Sequence, residues 1–307
     1  MGLLLLELKD DPNDPFTLFN LGMTEHHFGK QKEAIDWLTQ SLANATPQMT
    51  HTRKIFAILV ESYRDDGQID ASMETAEKGL ALFPADPELH FHAANIERGR
   101  GNPQSAIEHL RAYGEDTSDH FSSIDLGILT YRRWTLLGEL NAQLGNYPEA
   151  KKWFGVCMER EPWYEPAASG LFDAALQHGD MHMASLALEA MIAASGPTTE
   201  WTMRACRYAE ATGGQSNVIP YISALANRYP NTEEPRLTLA RVLIDSGRVQ
   251  EGVSRLHQLS QQGSARAGAM LSGAKENSQE DSNADHQLTR VTEKPRTKKP
   301  KKLRPKG

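Results

Sequence analysis

Histidine is the residue type with the clearest metal-binding chemistry in this sequence, which contains 11 histidines. Neighbouring pairs occur at His26/His27, His90/His92 and His178/His182. Two metal ligands on one helix must lie three or four positions apart to share a face. His90 and His92 are only two apart, and Gly179 interrupts the helical spacing of the last pair. The pattern therefore predicts no metal site, and we expect no cofactor.

The acidic cluster and the two cysteines favour structural roles. Asp10, Asp11 and Asp14 could together hold a hard cation, but they lie in a predicted turn between helices. Aspartate in such a turn commonly caps the N-terminus of the next helix. Cys157 and Cys206 form neither a CxxC pair nor a disulfide framework, which favours a reducing compartment. We predict that both cysteines are small core residues.

Signatures of catalysis are missing from the sequence. It contains no P-loop for phosphate binding, no HExxH and no GxSxG. Gly99-Arg-Gly101 lacks the third glycine of a dinucleotide-binding loop and lies between two predicted helices. We therefore predict that the chain is not an enzyme.

A glycine followed five positions later by a small residue recurs along the chain, and this repeat must position every other side chain. The seven pairs are Gly29/Ala34, Gly67/Ser72, Gly101/Ala106, Gly145/Ala150, Gly179/Ala184, Gly213/Val218 and Gly247/Gly252. Successive glycines are 38, 34, 44, 34, 34 and 34 residues apart. A period of 34 residues resembles that of the tetratricopeptide repeat, whose unit is a pair of antiparallel helices, A and B.

Other positions of the unit agree with this interpretation. The mid-unit glycine is expected to end helix A in a left-handed conformation. Small residues such as Gly22 and Gly138 would let the two helices approach closely, and Phe172 departs from this rule. The sequence therefore predicts an all-α fold, a right-handed α-solenoid of about seven tandem helix pairs.

The repeat register also predicts the organisation of the chain. Residues 1–14 form a broken repeat or N-terminal cap helix, and residues 15–262 form seven repeats with an insertion at 115–130. The repeats start at residues 15, 53, 87, 131, 165, 199 and 233. A capping helix is expected at 263–277, and a disordered basic tail at 278–307.

Charge is distributed unevenly along the sequence. The formal net charge is −7, but residues 294–307 contain eight Lys or Arg and no acid, which leaves −15 on residues 1–293. Such a tail could contact nucleic acid or an anionic membrane, or could remain a solvated segment. The opening MGLLLLELKDD lacks the basic start and long apolar core of a secretory signal. We expect a cytoplasmic monomer.

The predicted binding site is the concave groove that helix A positions 2, 5, 9, 12 and 13 line in tetratricopeptide arrays. The residues chosen for this groove are Phe16, Phe19, Met23, Phe91, Asn95, Arg98, Arg132, Glu139, Asp173, Arg207 and Arg241. We expect the aromatic rings to anchor an apolar group of a bound peptide or protein, and the arginines to bind acidic groups farther along. The alternative is that Phe16 and Phe19 belong to the core.

Four stretches resemble a narrower group of proteins. The strings DDPNDPFTLFNLGM, RKIFAILVESY, LFPADPELHF and HFSSIDLGILTYRRWTLLGEL start at residues 10, 53, 82 and 120. They are similar to the C-terminal tetratricopeptide region of bacterial family 2 glycosyltransferases. The catalytic domain of that family is not present, so the resemblance does not imply transferase activity. Our main hypothesis is a non-catalytic interaction scaffold, and the alternative is an accessory or detached part of such a glycosyltransferase in glycan or cell-envelope sugar transfer.

Overall fold

The protein is helical throughout residues 2–114 and 125–272, the ranges that the computed structural model describes, and neither range contains a β-strand. Consecutive helices pack in tandem pairs. The predicted fold class is therefore confirmed. The chain divides into two compact units, unit 1 (Met1–Ala194) and unit 2 (Ser195–Gly307).

Unit 1 begins with a single helix, α1 (Gly2–Asp10), which packs against the first helix pair. The helices of repeats one to three are α2 (Pro15–His27), α3 (Gln31–Asn44), α4 (Thr52–Asp65), α5 (Ile69–Leu82), α6 (Pro87–Gly99) and α7 (Pro103–Arg111). The short α8 (Leu126–Leu129) is followed by the helices of repeats four and five, α9 (Tyr131–Gln143), α10 (Tyr147–Arg160), α11 (Glu165–His178) and α12 (Met181–Ser195).

Unit 2 contains the helices of repeats six and seven. They are α13 (Thr199–Gly213), α14 (Gln215–Arg228), α15 (Glu233–Asp245) and α16 (Val249–Gln261). A further helix, α17, covers residues 265–272. The core of this unit includes Leu237, Leu256 and Leu271, so α17 packs on the last repeat as a cap.

Short polar side chains begin several helices. The Asp14 carboxylate accepts a hydrogen bond from the Thr17 amide at 2.8 Å, and Asp86 does the same for Leu89 at 3.0 Å. Hydrogen bonds from Thr17 hold the pKa of Asp14 below its usual value. The predicted capping role of Asp14 is confirmed, and it fixes where the first A helix starts.

Glycines end the A helices as predicted in six of seven repeats. Gly29, Gly67, Gly101, Gly145, Gly179 and Gly247 have φ angles between 72° and 86°, which side-chain-bearing residues rarely adopt. The prediction is wrong for repeat six, where α13 continues through Gly213 and the turn is made by Gly214 with φ 67°. A second glycine directly after the first lets this helix extend by one residue before the chain reverses.

Close approach of the helices explains the small residues in their seams. A Cβ atom on Gly138 would lie 2.6 Å from the Phe154 ring, and one on Gly22 would lie 2.5 Å from Leu38 Cγ. Phe172, which departs from the small-residue rule, is nevertheless fully buried. Of the two cysteines, Cys157 is buried as expected, whereas Cys206 is only half-buried.

Parts of the predicted organisation lie outside the described residues. These are residues 115–124 of the insertion and 273–307, which include the end of the capping helix and the basic tail. The two described edges of the insertion are joined, because the Tyr113 hydroxyl donates to the Ile128 carbonyl at 3.0 Å. Among the described helices, none is both long and apolar enough to cross a membrane.

Candidate functional site

The candidate site is the A-helix face of unit 1, the surface that α2, α4, α6 and α9 present at the predicted groove positions. Two large apolar side chains of α2 are open on this face, since Phe16 is 54% exposed and Met23 is 40% exposed. They are seven residues apart, which places them on the same side of a helix. The Phe16 ring lies 5.4 Å from the His51 ring in an edge-to-face contact.

Two other predicted anchors do not have the expected exposure. Phe19 is 7% exposed and packs with Ile55 and Leu59, and Phe91 is 5% exposed and packs with Leu136. The reason is positional, because both occupy position 5 of an A helix and face the A helix of the following repeat. We therefore correct the site by assigning these two rings to the core.

Charged side chains of the face are joined in pairs that cross from one repeat to the next. The Lys54 ammonium lies 2.5 Å from the Glu88 carboxylate, and both side chains are largely buried. Burial raises the pKa of Glu88, and the positive charge of Lys54 opposes that rise. Lys54 and Glu88 are 34 residues apart, so they share position 2 of successive repeats. Sequence reasoning missed this pair, although its spacing and opposite charges were a visible signal.

Two histidines flank a carboxylate in the same region. The Glu61 carboxylate lies 3.7 Å from His26 Nε2 and 3.8 Å from His92 Nδ1. Burial lowers the pKa of His92 to about 3, and the nearby Arg64 and Lys54 add to that effect. His92 is therefore neutral near pH 7. Within the described ranges no cluster of three or more potential metal ligands exists.

The predicted arginine donors of unit 1 already have acidic partners. Arg98 pairs with Glu139 at 3.0 Å, and Arg132 pairs with Asp125 at 2.5 Å. The Arg132 guanidinium also lies 5.0 Å from the centre of the Phe91 ring. An acidic group of a ligand would have to displace these carboxylates, which weakens the case for an acidic peptide.

The remaining predicted residues are placed as follows. Asn95 is half-buried and donates from Nδ2 to the Phe91 carbonyl at 2.9 Å, so its amide is directed to its own helix. Asp173 on α11 is half-buried. Arg207 and Arg241 are exposed on α13 and α15, and they belong to unit 2. Nine of the eleven predicted residues therefore belong to unit 1 and two belong to unit 2.

A cavity of about 190 Å³ lies beside this face at the ends of α9 and α11. Its lining residues are Ala142, Gly145, Tyr147, Ala174, Gln177 and His178. The Tyr147 and His178 rings stack with their centres 4.2 Å apart. The Tyr147 hydroxyl donates to Asp180 at 2.8 Å, and the Lys151 ammonium donates to the same oxygen at 3.0 Å. Tyr147, Lys151 and Asp180 therefore satisfy one another beside this cavity.

Comparison with known proteins supports the repeat interpretation. A family profile described as "Tetratricopeptide repeat" matches residues 59–120. No curated protein matches the sequence significantly. Solved structures with a similar fold include PilW, described as a widely conserved type IV pilus biogenesis factor, with a TM-score of 0.54 and 16% identity over 73% of this chain and 98% of PilW.

Two further solved structures share this fold. YrrB, described as a tetratricopeptide repeat protein with an unusual peptide-binding site, has a TM-score of 0.51 and 12% identity, over 65% of this chain and 96% of YrrB. The C-terminal part of a repeat-containing protein from Cytophaga hutchinsonii has a TM-score of 0.57 and 12% identity, over 76% and 91% of the two chains. At such identities the likeness shows the fold alone. Together with the helix pairs that recur along the chain, it supports a tandem helix-pair fold similar to that of tetratricopeptide repeat proteins.

Proposed function

We propose that the protein is a non-catalytic interaction scaffold whose A-helix face in unit 1 binds an apolar segment of a peptide or protein. The observation that carries this proposal is the exposure of Phe16 and Met23 on one side of α2. Large apolar side chains exposed together on a folded surface commonly mark an interaction site. Tandem tetratricopeptide folds are typical of scaffolds without catalysis.

The geometry around Phe16 supports an anchor role. Phe19 fills the core beneath it, with the two ring centres 6.3 Å apart, so Phe16 is not needed to complete the packing of repeat one. The His51 ring closes one side of Phe16. Burial lowers the pKa of His51, and the nearby Asp14 opposes that effect. The ring beside Phe16 therefore favours its neutral form, which suits contact with an apolar group.

The paired charges define the polar border of this site. Two ion pairs lie within the face, Lys54 with Glu88 and Arg98 with Glu139. The two charges of each pair neutralise each other, so the face offers little net charge to a ligand. We assign most of the binding free energy to the apolar contact with Phe16 and Met23, because buried apolar anchors typically contribute more than charges at a rim. YrrB, whose fold is similar, is described as having a peptide-binding site, which is consistent with this use of the fold.

The test uses a fluorescent peptide selected on the full chain from a random library. Phe16→Ala and Met23→Ala together should weaken its binding about tenfold or more while the melting temperature changes little. Phe28→Ala is the matched control, because Phe28 is also highly exposed but lies in the turn after α2. Equal affinity for all three chains, or equal loss with the Phe28 variant, would contradict the proposal.

The alternative of an accessory part of a family 2 glycosyltransferase rests on the four similar strings in the sequence. It differs from the main proposal in the identity of the partner and not in the binding face. Under this alternative, such an enzyme should co-purify with the wild-type chain but not with the chain that carries Phe16→Ala and Met23→Ala. That result would support both proposals. We place the scaffold in the cytoplasm as a monomer, which fractionation and light scattering would test.

A further inference from the structure

A second cavity, in unit 2, differs from the proposed site in position and chemistry. It has a volume of about 170 Å³ and lies between α13, α14 and α15. Its lining residues are Cys206, Glu210, Val218, Val242, Asp245 and Ser246. This volume is more than five times the ~30 Å³ that one water molecule occupies in the liquid. The cavity therefore has room for part of a side chain.

Two carboxylates of this cavity have no ion-pair partner within the described part of unit 2. Glu210 lies in the last turn of α13, and Asp245 is the last residue of α15. Neither helix has a basic residue in its last turn. The C-terminal end of a helix carries partial negative charge, so acids there are unfavourable and a cation is favoured. Both the side chains and the two helix ends thus attract a positive charge to this cavity.

Part of the cavity wall is apolar. Val218 is buried, and Val242 and Cys206 are half-buried. Burial raises the pKa of Cys206 to about 11, with Arg241 opposing the rise and Glu210 adding to it. An apolar wall with acids at its mouth suits a lysine or arginine side chain, whose methylene stem packs while its charged end stays at the rim.

The cations of unit 2 near the cavity leave these acids available. Arg241 lies one turn before Asp245 on α15, and its guanidinium contacts the Met203 sulfur. Arg207 precedes Glu210 on α13 and has other interactions. One arginine directed to a thioether does not neutralise two carboxylates and two helix ends.

We propose that this cavity, with Glu210 and Asp245, is a subsite for a basic side chain and that its occupant is the basic segment 294–307 of the same chain. Charge is complementary, since this segment carries eight Lys or Arg and no acid. It is also within reach, because 21 residues separate it from Ser272, the last described residue of α17 in the same unit. A flexible chain of 21 residues would span ~25 Å, compared with ~20 Å for a helix of the length of α15. The subsite is independent of Phe16 and Met23, so it goes beyond the proposed function.

The test compares full-length chains for binding of a fluorescent peptide with the sequence of residues 294–307. In the tail-neutral chain, the eight Lys and Arg of 294–307 are replaced by Gln. This chain should bind the peptide at least fivefold more tightly than the wild-type chain, because the attached segment no longer competes. Glu210→Gln with Asp245→Asn in the tail-neutral chain should reduce the affinity at least fivefold. Equal affinity of wild-type and tail-neutral chains would overturn the self-occupancy.

Two controls separate the cavity from general attraction between opposite charges. Glu33→Gln with Asp36→Asn removes two exposed acids of α3 in unit 1, and it should leave the affinity within twofold. A peptide in which diaminobutyrate replaces every lysine and arginine stays positively charged at pH 7 but has shorter stems, so it should bind more weakly. An equal loss with the α3 acids, or no loss with the shortened peptide, would show that no side chain enters the cavity.

Cys206 gives a readout within the cavity that needs no added peptide. A thiol reagent at mildly alkaline pH should modify Cys206 at least threefold faster in the tail-neutral chain than in the wild type. The other cysteine, Cys157, is fully buried and serves as an internal reference for unfolding. Equal modification rates for Cys206 in the two chains would overturn the proposal. This result would not depend on whether the Phe16 and Met23 site of unit 1 binds a peptide.

Discussion

The two cavities occupy the same positions of the repeat but differ in charge. In unit 1, Ala142 and Gln177 stand at position 12 of one repeat and position 13 of the next. In unit 2 these two positions are Glu210 and Asp245. Position 10 of the second repeat is Ala174 in one cavity and Val242 in the other. The packing of successive repeats therefore forms the cavity in each unit. The residues at positions 12 and 13 decide which ligand charge that cavity attracts.

The two units also differ in how their polar groups are satisfied. Near the cavity of unit 1, the Asp180 carboxylate accepts hydrogen bonds from Tyr147 and Lys151. In unit 2, the carboxylates of Glu210 and Asp245 have no comparable described partner. An acid that is satisfied internally stabilises its own turn, whereas an unsatisfied one at a helix C-terminus is free to bind a cation. This difference separates a structural polar cluster from a candidate binding site.

Substitutions at position 8 of helix A should give the largest difference between the units in the free energy of unfolding. Gly138→Ala in unit 1 would place a Cβ 2.6 Å from the Phe154 ring, so we expect a loss of about 1–3 kcal/mol in the free energy of unfolding. Its counterpart in unit 2 is Cys206, which borders a cavity, and Cys206→Ala should cost less than about 1 kcal/mol. Denaturant unfolding of the full chain measures both.

Gly155→Ala is the control for the helix itself. Gly155 lies within α10, and a Cβ there would meet nothing within 4 Å. Alanine should therefore stabilise this helix by up to about 1 kcal/mol. If Gly138→Ala were equally harmless, then close approach of α9 and α10 would not be what requires a glycine.

Acidification should weaken unit 1 more than unit 2. In the folded protein the pKa of His92 is about 3, compared with 6.5 in an unfolded chain. The unfolded state therefore binds more protons between these values, and the free energy of unfolding falls as the pH drops below 6.5. From His92 alone the expected loss is about 2 kcal/mol at pH 5 relative to pH 7. Burial also lowers the pKa of His51 and His109, which act in the same direction.

Hydrogen exchange at pH 7 and pH 5 would locate this loss. Protection factors in α4 and α6 should fall more than those in α13–α16, because the described part of unit 2 contains one histidine, His257. His92→Gln should remove about 2 kcal/mol of the pH dependence. An unchanged dependence in this variant would mean that His92 is not the residue that resists protonation.

The comparison also shows which features the sequence could predict. The 34-residue period, the left-handed glycines and the Asp14 cap follow from local chemistry, and all are visible in residue types and spacing. The burial of Phe19 was only an alternative, and that of Phe91 was not predicted, because position 5 lies between the groove and the next A helix. Whether its side chain is open depends on the neighbouring helix, here Ile55 and Leu136.

The charge pairs and the unit 2 cavity were missed for a related reason. The sequence predicted arginines that bind acidic groups of a ligand. In the structure Arg98 binds Glu139, a residue 41 positions away in the next repeat. Glu210 stands at position 12 of its A helix, which is a groove position, but the empty space beside it depends on the packing of three helices. Comparing equal repeat positions for opposite charges would have found Lys54–Glu88 from the sequence alone.

Moving the two acids to unit 1 should transfer part of the binding. The starting protein is the tail-neutral chain with Glu210→Gln and Asp245→Asn, which we expect to bind the basic peptide weakly. Adding Ala142→Glu and Gln177→Asp should restore affinity about fivefold, which corresponds to about 1 kcal/mol. Titration with the fluorescent peptide measures the gain. Neutral substitutions of the same shape, Ala142→Gln and Gln177→Asn, should give none, and a gain with them would mean that charge at positions 12 and 13 is not the determinant.

The smallest expected effect concerns the satisfied acid of unit 1. Hydrogen bonds from the Met183 amide, Lys151 and Tyr147 lower the pKa of Asp180 to about 2. Tyr147→Phe removes one donor, so the pKa should rise slightly but stay below its usual value, since the other two donors remain. NMR titration of the Asp180 carboxyl carbon measures this change. A pKa that returned fully to its usual value would show that Tyr147 organises the whole cluster. An unchanged pKa would show that the amide and the lysine alone suffice, and only in that case would the Tyr147 hydroxyl be free to meet a ligand in the unit 1 cavity.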